Sequence, residues 1–177
     1  NENDDSGYSV SSAGDVDGDG LSDLLIGAPR NDDEGIYAGK TYLILGSSLD
    51  GTSTIDLSLA DYSFIGEDGG DSAGQSISGA GDVDGDGLSD LLIGAPYNND
   101  EGIYAGKTYL ILGSSLGVAS TIDLSLADYS FLGETNRDYF GYSVSGAGDV
   151  DGDGLDDILI GAYQSDDGKV ALFSACE

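Results

Sequence analysis

The 177-residue sequence predicts an all-β fold, a partial β-propeller with blades of four antiparallel strands, and three observations carry the prediction. The pattern Asp-x-Asp-x-Asp-Gly-x-x-Asp occurs at 15–23, 82–90 and 149–157, a constant offset of 67 residues. A fixed period of this kind marks solenoids, propellers or arrays. Between the copies lie short runs that are apolar on consecutive residues, such as Leu24-Leu25-Ile26 and Tyr42-Leu43-Ile44-Leu45. A strand with that pattern is buried on both faces, and a propeller blade meets the condition because neighbours cover it on both sides. Finally, no segment shows a convincing helical period.

The repeats are assigned to 7–73, 74–140 and 141–177 within a single domain spanning 1–177. In the first, residues 8–13 alternate and are flanked by glycine, which predicts strand one. The acidic loop turns the chain into strand two at 24–28, strand three follows at 40–45, and strand four lies near 62–65, after the alternating Ile55, Leu57 and Leu59. Gly7-Tyr8-Ser9-Val10 returns as Gly74-Gln75-Ser76-Ile77 and as Gly141-Tyr142-Ser143-Val144. The third copy runs through Asp166-Asp167-Gly168-Lys169 into its third strand and stops at Glu177, so this last blade is expected to be incomplete. Its outer edge would be open, capped by another segment, or completed by another chain.

The acidic loops carry the chemistry. Carboxylates on alternate residues around a glycine-rich turn converge their oxygens, and hard oxygen donors at that density select Ca²⁺. Asp and Gly also form ordinary solvated turns, yet two carboxylates about 4 Å apart repel by roughly 4 kcal/mol at an effective dielectric of 20. Several such pairs in each loop call for a cation. An EF-hand would need Glu at position 12 and flanking helices, whereas position 12 here is Ile26, Ile93 or Ile160. A calcium-binding β-helix would repeat every nine residues or so. About three Ca²⁺ ions are expected, one per loop, in a role that rigidifies the fold.

Phe140-Gly141, Gly27-Ala28-Pro29 and the segment Gly79-Ala80-Gly81-Asp82-Val83-Asp84-Gly85-Asp86-Gly87 together resemble the FG-GAP repeat. That unit forms the blades of integrin α-subunit propellers and of many bacterial surface proteins. The resemblance covers nearly the whole chain and implies that each calcium loop joins the first two strands of a blade. It also implies the metal ligands. In the first loop these are the side chains of Asp15, Asp17, Asp19 and Asp23 with the Leu21 carbonyl. In the second they are Asp82, Asp84, Asp86 and Asp90 with the Leu88 carbonyl, and in the third Asp149, Asp151, Asp153 and Asp157 with the Leu155 carbonyl. The copies depart from the pattern where Ser6 and Ala73 stand in place of Phe140, and where Gly161-Ala162-Tyr163 replaces Gly-Ala-Pro.

Composition narrows the function. Thirty-four acidic residues against five basic ones give a net charge of −29, which repels nucleic-acid phosphates and anionic membrane surfaces. No apolar run approaches the roughly 20 residues that span a bilayer. The chain contains no His, Met or Trp and a single Cys, so most acid–base, nucleophilic and soft-metal chemistry is absent, and no catalytic residue or organic cofactor is expected. Copied acidic clusters also argue against a glycosidase pair, which needs two unlike carboxyl environments.

Weak calcium modules belong where Ca²⁺ is millimolar, which places the chain outside the cell or at its surface; high acidity would also suit a high-salt habitat. The start at Asn1 without a leader reads as a mature or excised segment, and no Asn-x-Ser/Thr sequon occurs. The acidic run Asn31-Asp32-Asp33-Glu34 reads as a soluble loop tip, Tyr37 and Tyr104 as packing residues, and Cys176 as a small buried residue or an intermolecular disulfide partner. Three functions compete: an adhesion or protein-binding module, as the resemblance implies; a self-assembling filament or surface-layer subunit; and a propeller attached to a secreted enzyme. Partners would be other extracellular proteins or other copies of the chain, as a homo-oligomer or a polymer grown through the open third blade.

Overall fold

The computed structural model describes residues 4–49, 51, 54–117, 119–164 and 169–174. Cys176 and the Asp166-Asp167-Gly168 stretch lie outside these residues. Twelve strands are described: β1 (Ser9–Gly14), β2 (Asp23–Ala28), β3 (Lys40–Ile44), β4 (Tyr62–Ile65), β5 (Ser76–Gly81), β6 (Asp90–Ala95), β7 (Lys107–Ile111), β8 (Thr121–Asp123), β9 (Tyr129–Leu132), β10 (Phe140–Gly148), β11 (Asp157–Ala162) and β12 (Val170–Phe173). The only helical pieces among the described residues are three-residue 3₁₀ turns such as Leu57–Leu59 and Leu124–Leu126.

The strands form three sheets, ordered β1-β2-β3-β4-β8, β5-β6-β7-β9 and β10-β11-β12. The four strands predicted for the first repeat are β1 to β4, paired antiparallel in chain order. The middle sheet is covered by both neighbours: β5 lies against β1 and against β10, and every residue of β6 and β7 is buried. Two-sided burial is what consecutive apolar residues in β6 and β7 demand. One core cluster, including Leu25, Leu43, Phe64, Leu91 and Tyr109, fills the first junction between sheets. A second, including Leu92, Phe140, Val144 and Ile160, fills the next. The sheets thus stack as successive blades of a partial propeller.

Glycine permits the close approach. A Cβ on Gly27 would strike the Gly74 carbonyl, and one on Gly94 would strike that of Gly141, so the Gly of each Gly-Ala-Pro triplet lies against the opening glycine of the following repeat. That contact couples the two ends of the sequence motif in space.

β8 departs from the repeat assignment. It belongs to the second repeat by sequence but hydrogen-bonds, in parallel, to β4 of the first sheet, with Phe64 opposite Ile122. The alternating stretch before the fourth strand is therefore a strand of its own in this copy, serving the preceding sheet.

Candidate functional site

Each acidic loop joins the first two strands of a sheet: β1 to β2, β5 to β6, and β10 to β11. The ladder shifts register immediately before every loop, between Ser12 and Gly14, Gly79 and Gly81, and Gly146 and Gly148. Gly14, Gly81 and Gly148 have φ of 80°, 81° and 69°, a left-handed conformation that glycine adopts at low cost. A bulge of this kind bends the strand and re-aims the residues that follow it, here the first aspartate of each loop.

Within the loops the aspartates organise the backbone. Asp15 Oδ1 accepts from the Gly18 and Asp19 amides at 2.8 and 3.1 Å, and Oδ2 accepts from Gly20 at 2.9 Å. Asp17 accepts from the Asp19 amide and Asp19 from the Leu21 amide. The second loop repeats this with Asp82, Asp84 and Asp86, and the third with Asp149, Asp151 and Asp153. Carboxylate oxygens of Asp15, Asp17 and Asp19 converge within 4.8 Å of one another, as do those of Asp82, Asp84 and Asp86. In the third loop the converging set is Asp149, Asp151 and Asp157. Leu21, Leu88 and Leu155 sit in the same turns, and the Leu88 and Leu155 side chains reach toward Gly18 and Gly85 of the preceding loops.

The fourth aspartate of each motif stands apart. Asp23, Asp90 and Asp157 are fully buried. Asp23 accepts from the Val16 amide at 2.8 Å and the Gly46 amide at 2.7 Å, and Asp90 accepts likewise from Val83 and Gly113. These two carboxylates tie the loop to the start of the turn after the third strand. Asp157 accepts from Val150, and its Oδ1 has no partner among the described residues, which leaves that oxygen available to the cluster it joins. Burial pushes the Asp90 carboxyl up to about 6 against the lowering effect of its two amide donors, with Asp84 and Asp86 adding to the rise. Burial raises Asp23 for the same reason.

The converging side-chain donors are therefore all carboxylates, assembled by short-range turns, in a chain with few compensating cations. That chemistry fits a hard divalent cation. The loops are also fastened to one another. The Ser89 amide donates to the Asp15 carbonyl at 2.9 Å, and its hydroxyl accepts from the Asp15 amide at 3.2 Å. At the next junction Asp156 replaces the serine, its amide donating to the Asp82 carbonyl and its carboxylate accepting from the Asp82 amide.

The opposite strand ends carry a second feature. In an antiparallel sheet the β2–β3 and β6–β7 connections lie at the end remote from the acidic loops. There Tyr97, Tyr104 and Tyr139 pack mutually with ring centroids 5.7–5.8 Å apart. Tyr163 joins Tyr139 and stacks on Tyr142 at 4.7 Å. Tyr37, Tyr104 and Tyr139 hold φ of 58°, 55° and 51°, a region costly for residues with a side chain. Tyr104 packs, as expected, and remains 39% exposed, whereas Tyr37 is 48% exposed with the Arg30 guanidinium 5.9 Å from its ring centroid. The convergence of five tyrosines from two repeats could not be read from the sequence, where they lie up to 66 residues apart.

A buried polar pair was also missed. Asn31 and Asn98 are 2% and 1% exposed, which corrects the reading of the acidic run as wholly a loop tip: Asp32, Asp33 and Glu34 are exposed, but the asparagine anchors them. Asn31 Nδ2 donates to Asp4 at 2.9 Å and Asn98 Nδ2 to Asp71 at 2.8 Å. Asp4, Asp71 and Asp138 recur at the 67-residue offset and are all buried. That recurrence was the signal available in the sequence.

Comparison with known proteins agrees with this geometry. The family model for the FG-GAP repeat matches residues 6–44, 73–111 and 140–173. Integrin alpha-PS2 of Drosophila melanogaster is 36% identical over 177 residues, covering 96% of this chain and 12% of that protein. Integrin alpha-4 of Xenopus laevis is 36% identical over 157 residues, covering 87% of this chain and 14% of that protein. Human integrin alpha-IIb is 34% identical over 177 residues, covering 96% and 16% respectively. The chain thus spans only 12–16% of the length of these curated relatives.

Proposed function

The chain belongs to the FG-GAP repeat family, and from that premise we propose that these residues form a calcium-stabilised, non-enzymatic binding module that works in adhesion at the cell surface or outside the cell. The observation that carries the reading is the separation of its two polar features. Three acidic loops occupy one end of the strands, and a half-exposed tyrosine cluster in strained backbone occupies the other. Ca²⁺ at the loops, one ion for each, fixes the first two strands of every blade, with Asp15, Asp82 and Asp149 organising the turn and the alternate aspartates supplying donors. The blades in turn hold the tyrosines.

Tyrosine offers large contact area at small entropic cost, and backbone strain concentrates at binding sites. On a chain of net charge −29, an aromatic face of this kind favours a protein partner that presents Arg or Lys side chains.

The test is attachment of cells to beads coated with the chain, in millimolar Ca²⁺ and in chelator. Attachment should need Ca²⁺ and should fall at least tenfold in a Tyr104→Ala/Tyr139→Ala variant that melts like the parent. Attachment indifferent to both changes overturns the reading.

A further inference from the structure

The segment Ile-Asp-Leu-Ser-Leu-Ala-Asp-Tyr-Ser-Phe occurs twice, at 55–64 and 122–131, and the two copies meet different surroundings. In the second copy Thr121–Asp123 forms β8 on the edge of β4, and Leu124 is 1% exposed within the core between the first two sheets. It packs there with Val16, Leu43, Phe64, Leu91 and Ile111, flanked by Leu45 and Tyr62. In the first copy Leu57 is only half-buried and Ile55 is exposed. The acceptor strands differ in the complementary sense. Phe64 of β4, covered by β8, is 0% exposed. On β9, whose sequence differs from β4 only in its last residue, Phe131 is partly exposed, Ser130 is exposed and Tyr129 is 56% exposed.

Beside β9 lies a cavity of about 580 Å³, lined by Leu110, Leu112, Tyr129, Phe131, Leu155 and Phe173 among others. Offset by 67, Leu110, Leu112, Tyr129 and Phe131 correspond to Leu43, Leu45, Tyr62 and Phe64; by ladder register Phe173 corresponds to Ile111. The cavity is therefore the place that Leu124 and Ile122 fill at the first junction. We propose that the edge of β9 and this cavity are a strand-acceptor site for an extended polypeptide segment of Thr-Ile-Asp-Leu-Ser-Leu-Ala-Asp-Tyr-Ser-Phe type. The incoming strand runs parallel to β9 with its Ile opposite Phe131 and its Asp opposite Leu132, and its first Leu enters the cavity. Backbone hydrogen bonds supply affinity and the leucine pocket supplies selectivity, as in other strand additions. The Ser63 amide donates to the Ser120 carbonyl at 2.8 Å across the occupied edge, and the Ser130 amide, in the same ladder register, takes that role here.

The experiment adds a fluorescein-labelled peptide of residues 120–132 to the full chain in millimolar Ca²⁺, with anisotropy and hydrogen exchange as readouts. The peptide should bind saturably and slow exchange at 129–132. Leu124→Asp in the peptide should weaken binding at least about tenfold, because it buries a charge in an apolar cavity. Ser130→Pro in the chain should do the same; proline is tolerated on an edge strand and removes only the outward amide. Equal melting temperatures show that this variant still folds. No saturable signal up to about 1 mM peptide, binding that survives either substitution, or protection at a site other than 129–132 would overturn the proposal.

Discussion

Leu124→Ala and Leu57→Ala remove the same side chain from the same ten-residue sequence, and the structure assigns them different energies. Leu124 is 1% exposed and lies in the core between the first two sheets. Its removal forfeits the transfer energy of a buried leucine and leaves a cavity, together about 3 kcal/mol. Leu57 is half-buried and, unlike Leu124, follows no paired strand among the described residues, so its loss costs about 1 kcal/mol or less. Urea denaturation in saturating Ca²⁺, followed by far-UV circular dichroism, reads the difference as a shift in midpoint at constant slope. By melting, the gap of about 2 kcal/mol corresponds to about 4–8 °C. Leu59→Ser and Leu126→Ser are the control pair, 77% and 76% exposed, and both should change stability by less than about 0.5 kcal/mol. Equal costs for Leu57→Ala and Leu124→Ala would refute the argument that β8 completes the preceding sheet.

Chelation should lower the melting temperature sharply, and Asp84→Ala should remove about a third of that effect; melting curves that superimpose with and without chelator would contradict the calcium reading. Asn98→Ala removes the donor that Asp71 accepts from and should cost about 2–4 kcal/mol at pH 7.5. Burial pushes the Asp71 carboxyl up to about 6 from 3.8, against the lowering effect of Asn98. Its raised pKa means that the folded chain holds this proton more tightly than the unfolded chain. Stability from this group is thus fully present below about pH 4 and lost as pH rises through about 6. Asp71→Asn should accordingly flatten the fall in melting temperature between pH 4 and 6.5 relative to the parent, measured with Ca²⁺ saturating. Gly106→Ala places a Cβ against the Phe140 backbone at φ 87° and should cost about 3 kcal/mol or more. Gly152→Ala, at φ 84° with open space around it, should cost about 1–2 kcal/mol by the same denaturation assay.

The strands and the acidic loops were legible because both are local. Alternation at Ser9–Gly14 and the apolar run after Asp23 depend on neighbours within a few residues, and the turn around Asp15 closes on the amides of Gly18 to Gly20. What the sequence concealed is non-local. Leu57 and Leu124 have identical flanks, so no window-based reading separates them; only the presence of another sheet beside one of them does. The same holds for Asn98, whose partner Asp71 is 27 residues away, and for the Ser89 clamp on Asp15, 74 residues distant. The fourth aspartate shows a subtler limit. Its spacing places it in the loop motif, where it accepts from the nearby Val16 amide, while its bond to the Gly46 amide follows from the path of the chain after β3.

These non-local ties share a direction, and that defines the physical unit of the fold. β8 covers the sheet before its own, Ser89 grips the loop before its own, and Gly74 lies against Gly27 of the preceding repeat. Each repeat therefore completes its predecessor. The stabilising element is the junction between two repeats rather than the 67-residue unit alone. In such arrays stability is approximately a sum over units and nearest-neighbour interfaces. A substitution at a junction residue should then weaken both repeats it joins, whereas one at an exposed loop position, such as Glu34, should weaken neither. Because the acidic loops are clamped pairwise through Ser89 and Asp156, a cation bound at one loop also rigidifies the backbone that its neighbour uses. On the proposed calcium reading the ion would act on the same junctions that the hydrophobic core fills, and chelation should be felt by hydrogen exchange in β5 and β6 together, not in one strand alone.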